Sequence, residues 1–193
     1  MDYVIPFALV SMAAALLLLA AVWDVATMTI PNWLSSLMAA SFPVAAIAFE
    51  MPWHIIALNV GFGAATLLGC FFLFNARILG GGDAKLIPAA AVWTGAAGFA
   101  PFALIMALVG GALALVLLAL RRLFKPHTNN PAFLNRLLDR RRGAPYGVAI
   151  AAAGLFALAQ TPIGESAAQN VLKSGAPKAS ESSNKVQALL TLP

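Results

Sequence analysis

The chain has 193 residues, of which 61% are apolar and only 10% are charged, and its mean hydropathy is +0.86. An average soluble domain is about half apolar and about a quarter charged, so this composition excludes an ordinary soluble protein and predicts an integral membrane protein. The net charge of +5 could suggest a nucleic-acid partner. Most basic residues, however, lie beside apolar segments, where they are typical of topology signals and headgroup contacts.

The few cysteines and histidines limit the chemistry that the chain can support. Cys70 has no second cysteine with which to form an internal disulfide or a metal site. His54 and His127 are far apart and lack the spacing of metal ligands. The sequence therefore predicts no metal centre, no zinc hydrolase and no cofactor.

Six apolar segments predict an all-α, polytopic membrane bundle of about six transmembrane helices. They are residues 4–23, 33–49, 54–75, 86–98, 102–120 and 145–160. The first, third and fifth have the roughly twenty residues that a straight span needs, whereas the fourth and sixth are short, so five spans is the alternative count. The first segment has no basic start and no cleavage site, so we expect it to be retained. Residues 1–160 are expected to form one transmembrane domain, and residues 161–193, rich in small and polar side chains, a flexible tail.

The distribution of basic residues predicts that the N-terminus lies outside. The cytoplasmic connections are then residues 24–32, 76–85 and 121–144. Their basic residues are Arg77, Lys85, Arg121, Arg122, Lys125, Arg136, Arg140, Arg141 and Arg142. The short external loops near Glu50 and Gly98 contain no lysine or arginine, which is a strong positive-inside signal.

Residues 131–142, in the third of these connections, predict a short amphipathic helix. Its apolar side chains fall on one side, with arginines elsewhere; they are Phe133, Leu134, Leu137 and Leu138. We expect this helix to lie on the inner leaflet and to anchor the topology, with a role in steering a substrate as the alternative.

Two acidic residues are candidates for catalysis, because an ionisable group in or near a bilayer is costly and so indicates function. Asp24 follows Trp23 at the inner end of the first segment, and Asp83 follows three glycines between the third and fourth. The predicted topology places both at the cytoplasmic face and at similar depth. The remaining acids are explained more simply as terminal, solvated or arginine-paired groups; they are Asp2, Glu50, Asp139, Glu165 and Glu181.

Paired carboxylates predict hydrolysis of a peptide bond. One carboxylate accepts a proton from an attacking water while the other donates a proton to the amide carbonyl. No histidine lies beside a suitable serine or cysteine, so a nucleophilic triad is not favoured. Taken singly, each aspartate has an explanation other than catalysis. Asp24 is equally well explained as a solvated carboxylate at the end of a helix, and Asp83 is explained as a helix N-cap. Between them, Pro31 is expected to fix a turn and Asn32 to cap the second helix.

Three motifs resemble those of the type IV prepilin peptidases. Residues 80–85, Gly-Gly-Gly-Asp-Ala-Lys, resemble the G-x-G-D motif with its following lysine. Asp24 and the later Ile30-Pro31-Asn32 are similar to the first aspartate and I-P-N of that family, and residues 144–149 are similar to its P-[FY]-G-x-A motif. The order of the motifs over residues 20–155 makes the resemblance specific. The chain length is similar to that of the short peptidase-only members that serve tight-adherence (Flp-type) pili.

The resemblance implies a multi-pass endopeptidase of the bacterial inner membrane that removes the basic leader of a prepilin at the cytoplasmic face. Asp24 and Asp83 would be its catalytic pair. The surrounding active-site residues would be Gly80, Gly82, Lys85, Pro31, Asn32, Pro145, Tyr146 and Gly147. Its partners would be the prepilin leader and hydrophobic helix, the lipid bilayer and the pilus-assembly machinery, and not nucleic acid. One departure is that residues 25–29 are uncharged, whereas relatives often carry basic residues there.

Two other functions are compatible with parts of the sequence. A non-catalytic pilus-assembly protein would bind prepilins without cutting them, although both aspartates are retained. A small transporter would use Asp24 and Asp83 as proton carriers, but it would require acids nearer the middle of the membrane. Cleavage of a prepilin by the purified protein distinguishes the peptidase from both.

Overall fold

The computed structural model describes residues 4–124, 131–139 and 143–161, and every regular element within these ranges is an α-helix. The helices are α1 (Val4–Thr27), α2 (Asn32–Ala48), α3 (Trp53–Asn75), α4 (Asp83–Leu123), α5 (Ala132–Leu138) and α6 (Gly147–Gln160). The predicted all-α class is therefore confirmed. α1, α3 and α4 are long and apolar enough to cross a membrane, whereas α2 and α6 are shorter apolar helices. Beyond Thr161, the predicted tail lies outside the described residues.

Gly95 divides α4 into two helical segments, residues 83–94 and 96–123. Its φ of 61° and ψ of −178° form a backbone conformation that glycine adopts easily and other residues rarely do. The side chain of Asn59 in α3 packs so closely that a Cβ on Gly95 would lie 2.6 Å from Asn59 Oδ1. The sequence prediction, which placed this boundary at residues 99–101, is wrong because the break follows a contact with another helix. Pro101 lies inside the second segment.

The first segment of α4 is the centre of the bundle. Residues 86–95 are all buried, and α2, α3 and α6 pack against α4. Trp93 Nε1 donates a 2.9 Å hydrogen bond to the carbonyl of Met38 in α2, and its ring packs edge-on against Phe42. On the α3 side, a Cβ on Gly63 would overlap Val92. The helix that begins with Asp83 is thus held in place by its neighbours.

The outward face of α3 is apolar and exposed. Leu67, Leu68, Phe71 and Phe72 are each about half exposed or more. Such a surface is unfavourable in water, whereas lipid chains cover it in a bilayer. Together with the three candidate spans, it fits the membrane protein that the composition predicts.

The structure corrects two sequence-based expectations about the junction between α1 and α2. The sequence predicts an end of the first helix at residue 23, but α1 continues to Thr27 and ends where Met28 has a φ of 57°. The predicted capping role of Asn32 is also wrong, because Pro31 occupies the N-cap position and makes no side-chain capping bond. Asn32 is instead the first helical residue, and its side chain accepts a hydrogen bond from Lys85 in α4.

The amphipathic helix predicted at residues 131–142 is confirmed as a helix over Ala132–Leu138, and residues 140–142 lie outside the described part of the chain. This helix, α5, contacts α1 and α4. Leu138 is buried and Phe133 is exposed. One apolar side chain therefore faces the bundle, while another remains available to the surroundings.

Candidate active site

Asp24 lies in the last full turn of α1, with only 6% of its surface exposed. The backbone N–H of Gly147 donates a 2.8 Å hydrogen bond to Asp24 Oδ2. Gly147 is the first residue of α6, and the free N–H groups at the start of a helix favour a negative group nearby. A Cβ on Gly147 would lie 2.9 Å from both Cβ and Oδ2 of Asp24, so only glycine permits this approach.

Asp83 is the first residue of α4 and follows a loop of three glycines. The Gly80 carbonyl accepts a 2.9 Å hydrogen bond from the N–H of Ala84, which turns the loop directly into the helix. A Cβ on Gly80 would lie 2.8 Å from Asp83 Oδ2, so this glycine leaves space for the carboxylate. Gly82 occupies the N-cap position, and the alternative role of Asp83 as an N-cap is therefore wrong.

The glycine loop packs on the I-P-N segment that follows Asp24. A Cβ on Gly82 would lie 3.0 Å from Ile30 Cβ and 3.2 Å from Ile30 N. Lys85 Nζ donates a 2.7 Å hydrogen bond to Asn32 Oδ1, across 53 residues of sequence. This packing places Asp83 beside the segment that follows Asp24, at the same end of the bundle.

Pro145 and Tyr146 position the start of α6. Pro145 is fully buried, and the Tyr146 ring lies against Gly110 in the second segment of α4. A Cβ on Gly110 would be 2.5 Å from Tyr146 Cζ and 2.6 Å from its hydroxyl oxygen. The third motif thus holds its own Gly147 against Asp24, and all three motifs meet at one end of the bundle.

Two arginines at this end of the bundle make contacts that the sequence does not predict. Arg136 of α5 donates a 2.6 Å hydrogen bond to the carbonyl of Ala26, two residues after Asp24. Arg121, near the end of α4, donates to the carbonyls of Leu137 and Gly143 at 2.7 and 2.9 Å. The sequence assigns both arginines to the positive-inside pattern, and Arg136 also to the amphipathic helix, but a hydrogen bond to a backbone carbonyl produces no recognisable motif.

The remaining candidates lie away from this site. His54 is exposed at the first turn of α3, and Cys70 is buried further along the same helix. Glu50 is exposed in the turn before α3, as expected of a solvated side chain. Within the described ranges, no group of three His, Cys, Asp or Glu side chains is arranged to hold a metal ion.

Comparison with known proteins gives one family. A sequence model of the type IV leader peptidase family matches residues 11–115, which include Asp24, the I-P-N segment and the glycine loop with Asp83. The match ends before Pro145. No curated protein and no solved structure shows a significant match. Because the family match covers more than half of the 193 residues, the chain belongs to the type IV leader peptidase family.

Proposed function

We propose that this family member is a membrane aspartyl endopeptidase that removes the leader of Flp-like type IV prepilins at the cytoplasmic face of the bacterial inner membrane. The observation that carries the proposal is that the I-P-N segment after Asp24 packs on the glycine loop before Asp83, so that two separate helices bring both acids to one end of the bundle. Each lies against a glycine where a larger residue would collide with the carboxylate, which supports a role for these two groups. Family membership supports the leader-peptidase class.

The pair has the chemistry to hydrolyse a peptide bond. Two neighbouring carboxylates do not both ionise easily, so one is ionised and the other keeps its proton. The ionised carboxylate takes a proton from water as the water oxygen attacks the scissile carbonyl carbon, and the protonated carboxyl donates to the carbonyl oxygen. In the collapse, the C–N bond breaks, the nitrogen takes the proton that came from water, and one hydroxyl returns a proton to the second carboxylate. The products are the acid of the leader and the free amine of the pilin.

The neighbouring residues would hold the two acids in position. The Gly147 amide orients the Asp24 carboxylate, and the Lys85–Asn32 hydrogen bond ties the start of α4 to the start of α2. Lys85 therefore acts in this proposal as a positioning residue. Catalytic groups must be placed to within a fraction of an ångström, because a misplacement of about 1 Å costs on the order of a hundredfold in rate.

The basic residues favour a cytoplasmic location for the site. Lys85, Arg121 and Arg136 lie at the same end of the bundle as the two aspartates. Cations near the ends of spans concentrate on the cytoplasmic side. A basic leader approaching from the cytoplasm would meet the acidic pair where the leader joins the apolar helix of the prepilin.

Asp24→Asn and Asp83→Asn test the mechanism, because each substitution removes an ionisable group and nearly preserves its shape. We expect either variant to lower prepilin cleavage by at least about a thousandfold, as removal of one member of a catalytic unit does. Cleavage is measured with purified protein in detergent and by co-expression with the prepilin, alongside the amount of each variant in the membrane. Glu50→Gln, at an exposed acid in the turn before α3, is the matched control and should cleave normally.

Two outcomes decide between the functions, and a third measurement tests the substrate class. Near-normal cleavage by both aspartate variants would rule out the paired-carboxylate mechanism. A wild-type protein that binds a prepilin without cutting it would instead be a non-catalytic assembly protein. Comparing a Flp-type prepilin with a longer type IV prepilin at equal concentration tests the substrate class, and we expect the Flp-type substrate to be cleaved faster.

A further inference from the structure

α2 and α3 leave a groove between them, although only residues 49–52 join the two helices. Both pack on α4, while they make little contact with each other. The space between them has a volume of about 480 Å³, and α4 forms its floor at Pro88, Ala89 and Val92. Val60, Ala64 and Leu67 on the α3 wall are exposed, so this α2–α3 groove is open at the surface.

One end of the α2–α3 groove lies at the candidate active site. Asn32 and Lys85 line it there, and Lys85 is two residues after Asp83. From that end the groove runs beside α2 as far as Ala39 and beside α4 as far as Val92. Asn32 to Ala39 corresponds to a rise of about 10 Å, or roughly two helical turns. A segment lying in the groove would therefore point its end at the two aspartates.

Ser35 gives the groove an unused hydrogen-bonding group. Its side chain lines the groove, is only 5% exposed, and its hydroxyl has no hydrogen-bond partner among the described residues. Ser41 and Thr66, by contrast, each donate to a carbonyl in their own helix, at 2.7 and 2.9 Å. A buried hydroxyl without a partner is unfavourable, so a bound molecule with a polar group at this level would satisfy it.

The walls of the groove suit a helix more than a bulky head group. Ser36, Ala39, Gly63 and Ala64 have small side chains, and small residues allow two helix backbones to approach closely in a membrane. Asn32, Ser35 and Lys85 are polar or charged and lie toward the active-site end, while the far end is apolar. An occupant should therefore be apolar along its length and polar where it reaches the aspartates.

We propose that the α2–α3 groove receives the first turns of the apolar helix of the prepilin, which reaches it sideways from the bilayer, with the Ser35 hydroxyl bonded to a polar group of that helix. This inference rests on the proposed function, because it assumes that a prepilin is the substrate. The groove is long enough to contact one side of about two turns of the apolar helix, which sets the scissile bond beyond its Asn32–Lys85 end, beside Asp24 and Asp83. The basic leader then extends away from the groove.

Site-specific photocross-linking tests the position of the bound helix. Ala64 lines the groove, whereas Ala65, its exposed neighbour, does not. Each is replaced in turn by benzoylphenylalanine in the Asp83→Asn variant and co-expressed with a prepilin that the wild-type protein cleaves. We expect a prepilin adduct from position 64 and none from position 65. Equal adducts from both positions, or an adduct from position 65 alone, would overturn the proposal.

Steric filling of the groove provides a second measurement. Ala64→Phe should raise KM for the prepilin about tenfold, with kcat changed less than about twofold, because it obstructs binding and leaves the aspartates in place. Ala65→Phe adds the same volume beside the groove and should leave both constants unchanged. An unchanged KM for Ala64→Phe would contradict the assignment. So would cross-linking of position 64 to phospholipid to the same extent with and without the prepilin. Failure of the wild-type protein to cleave any prepilin would instead reject the proposed function.

Discussion

The amide of Gly147 and the carboxylate of Asp24 are joined by a 2.8 Å hydrogen bond across 123 residues of sequence. The bond connects the motif that begins α6 with the first of the two acids. α6 also packs along α1, so the contact is part of an extended helix interface. The family match ends at residue 115, yet a residue beyond it touches the candidate catalytic group directly.

Gly147→Ala should lower the kcat of prepilin cleavage by about a hundredfold, the order of loss expected from a displacement of about 1 Å. The added Cβ would lie 2.9 Å from Asp24 Oδ2, so the carboxylate or the start of α6 must move. Gly143→Ala is the control, because a Cβ there would meet nothing within 4 Å. Equal rates for the two variants would show that this contact does not position Asp24.

Gly110→Ala should destabilise the protein by about 1–3 kcal/mol, the usual effect of an overpacked contact. Its Cβ would lie 2.5 Å from Tyr146 Cζ, and displacement of the ring should also weaken the Gly147–Asp24 contact and reduce activity. Gly111→Ala adds a methyl group into open space, and in a helix it should be neutral or stabilising by up to about 1 kcal/mol. Thermal unfolding in detergent compares the two variants. A Gly110→Ala protein as stable as Gly111→Ala would contradict the packing.

Arg136→Ala should reduce kcat by up to about tenfold, because hydrogen bonds from a charged donor contribute on the order of 1.5 kcal/mol or more. Arg136 bonds to the Ala26 carbonyl at 2.6 Å and so restrains the end of the helix that carries Asp24. Arg122→Ala removes an equal charge from an exposed site on the same side. It should leave kcat unchanged. If both variants lose activity equally, the effect comes from charge and not from this bond.

The two ends of α3 should lie on opposite sides of the membrane. In a Cys70→Ser background, His54→Cys should react with a membrane-impermeant maleimide in spheroplasts, because the predicted topology places that end outside. Asn75→Cys should react only after the membrane is permeabilised. Both side chains are exposed, so neither depends on unfolding to react. The reverse pattern of labelling would invert the topology and place the aspartates outside.

The local sequence is a better guide to which residues belong to the candidate site than to the contacts that these residues make. The glycines before Asp83 form a continuous run, and the structure explains the run through Ile30 and the Asp83 carboxylate itself. Composition and hydropathy likewise sufficed for the all-α class. These features depend on residues close in sequence or on average properties of the chain, so a single sequence carries them.

Features set by contacts between distant residues were missed. The break in α4 occurs at Gly95, where Asn59 packs, and not near Gly98 and Pro101, whose local signals are as strong. The Asn32 side chain accepts a hydrogen bond from Lys85 and caps no helix. Neither contact produces a pattern in the sequence, because each partner is chosen by the packing of helices.

Burial of residues 86–95 also determines how the protein should respond to the lipid around it. Residues 83–94 span only about 17 Å, which is less than the roughly 30 Å thickness of a hydrocarbon core. This short segment is buried against α2, α3 and α6, so a thicker or thinner bilayer has little direct effect on it. Hydrophobic mismatch is taken up by the tilt of lipid-facing helices such as α3. The position of Asp83 within the bundle should therefore be nearly independent of acyl-chain length.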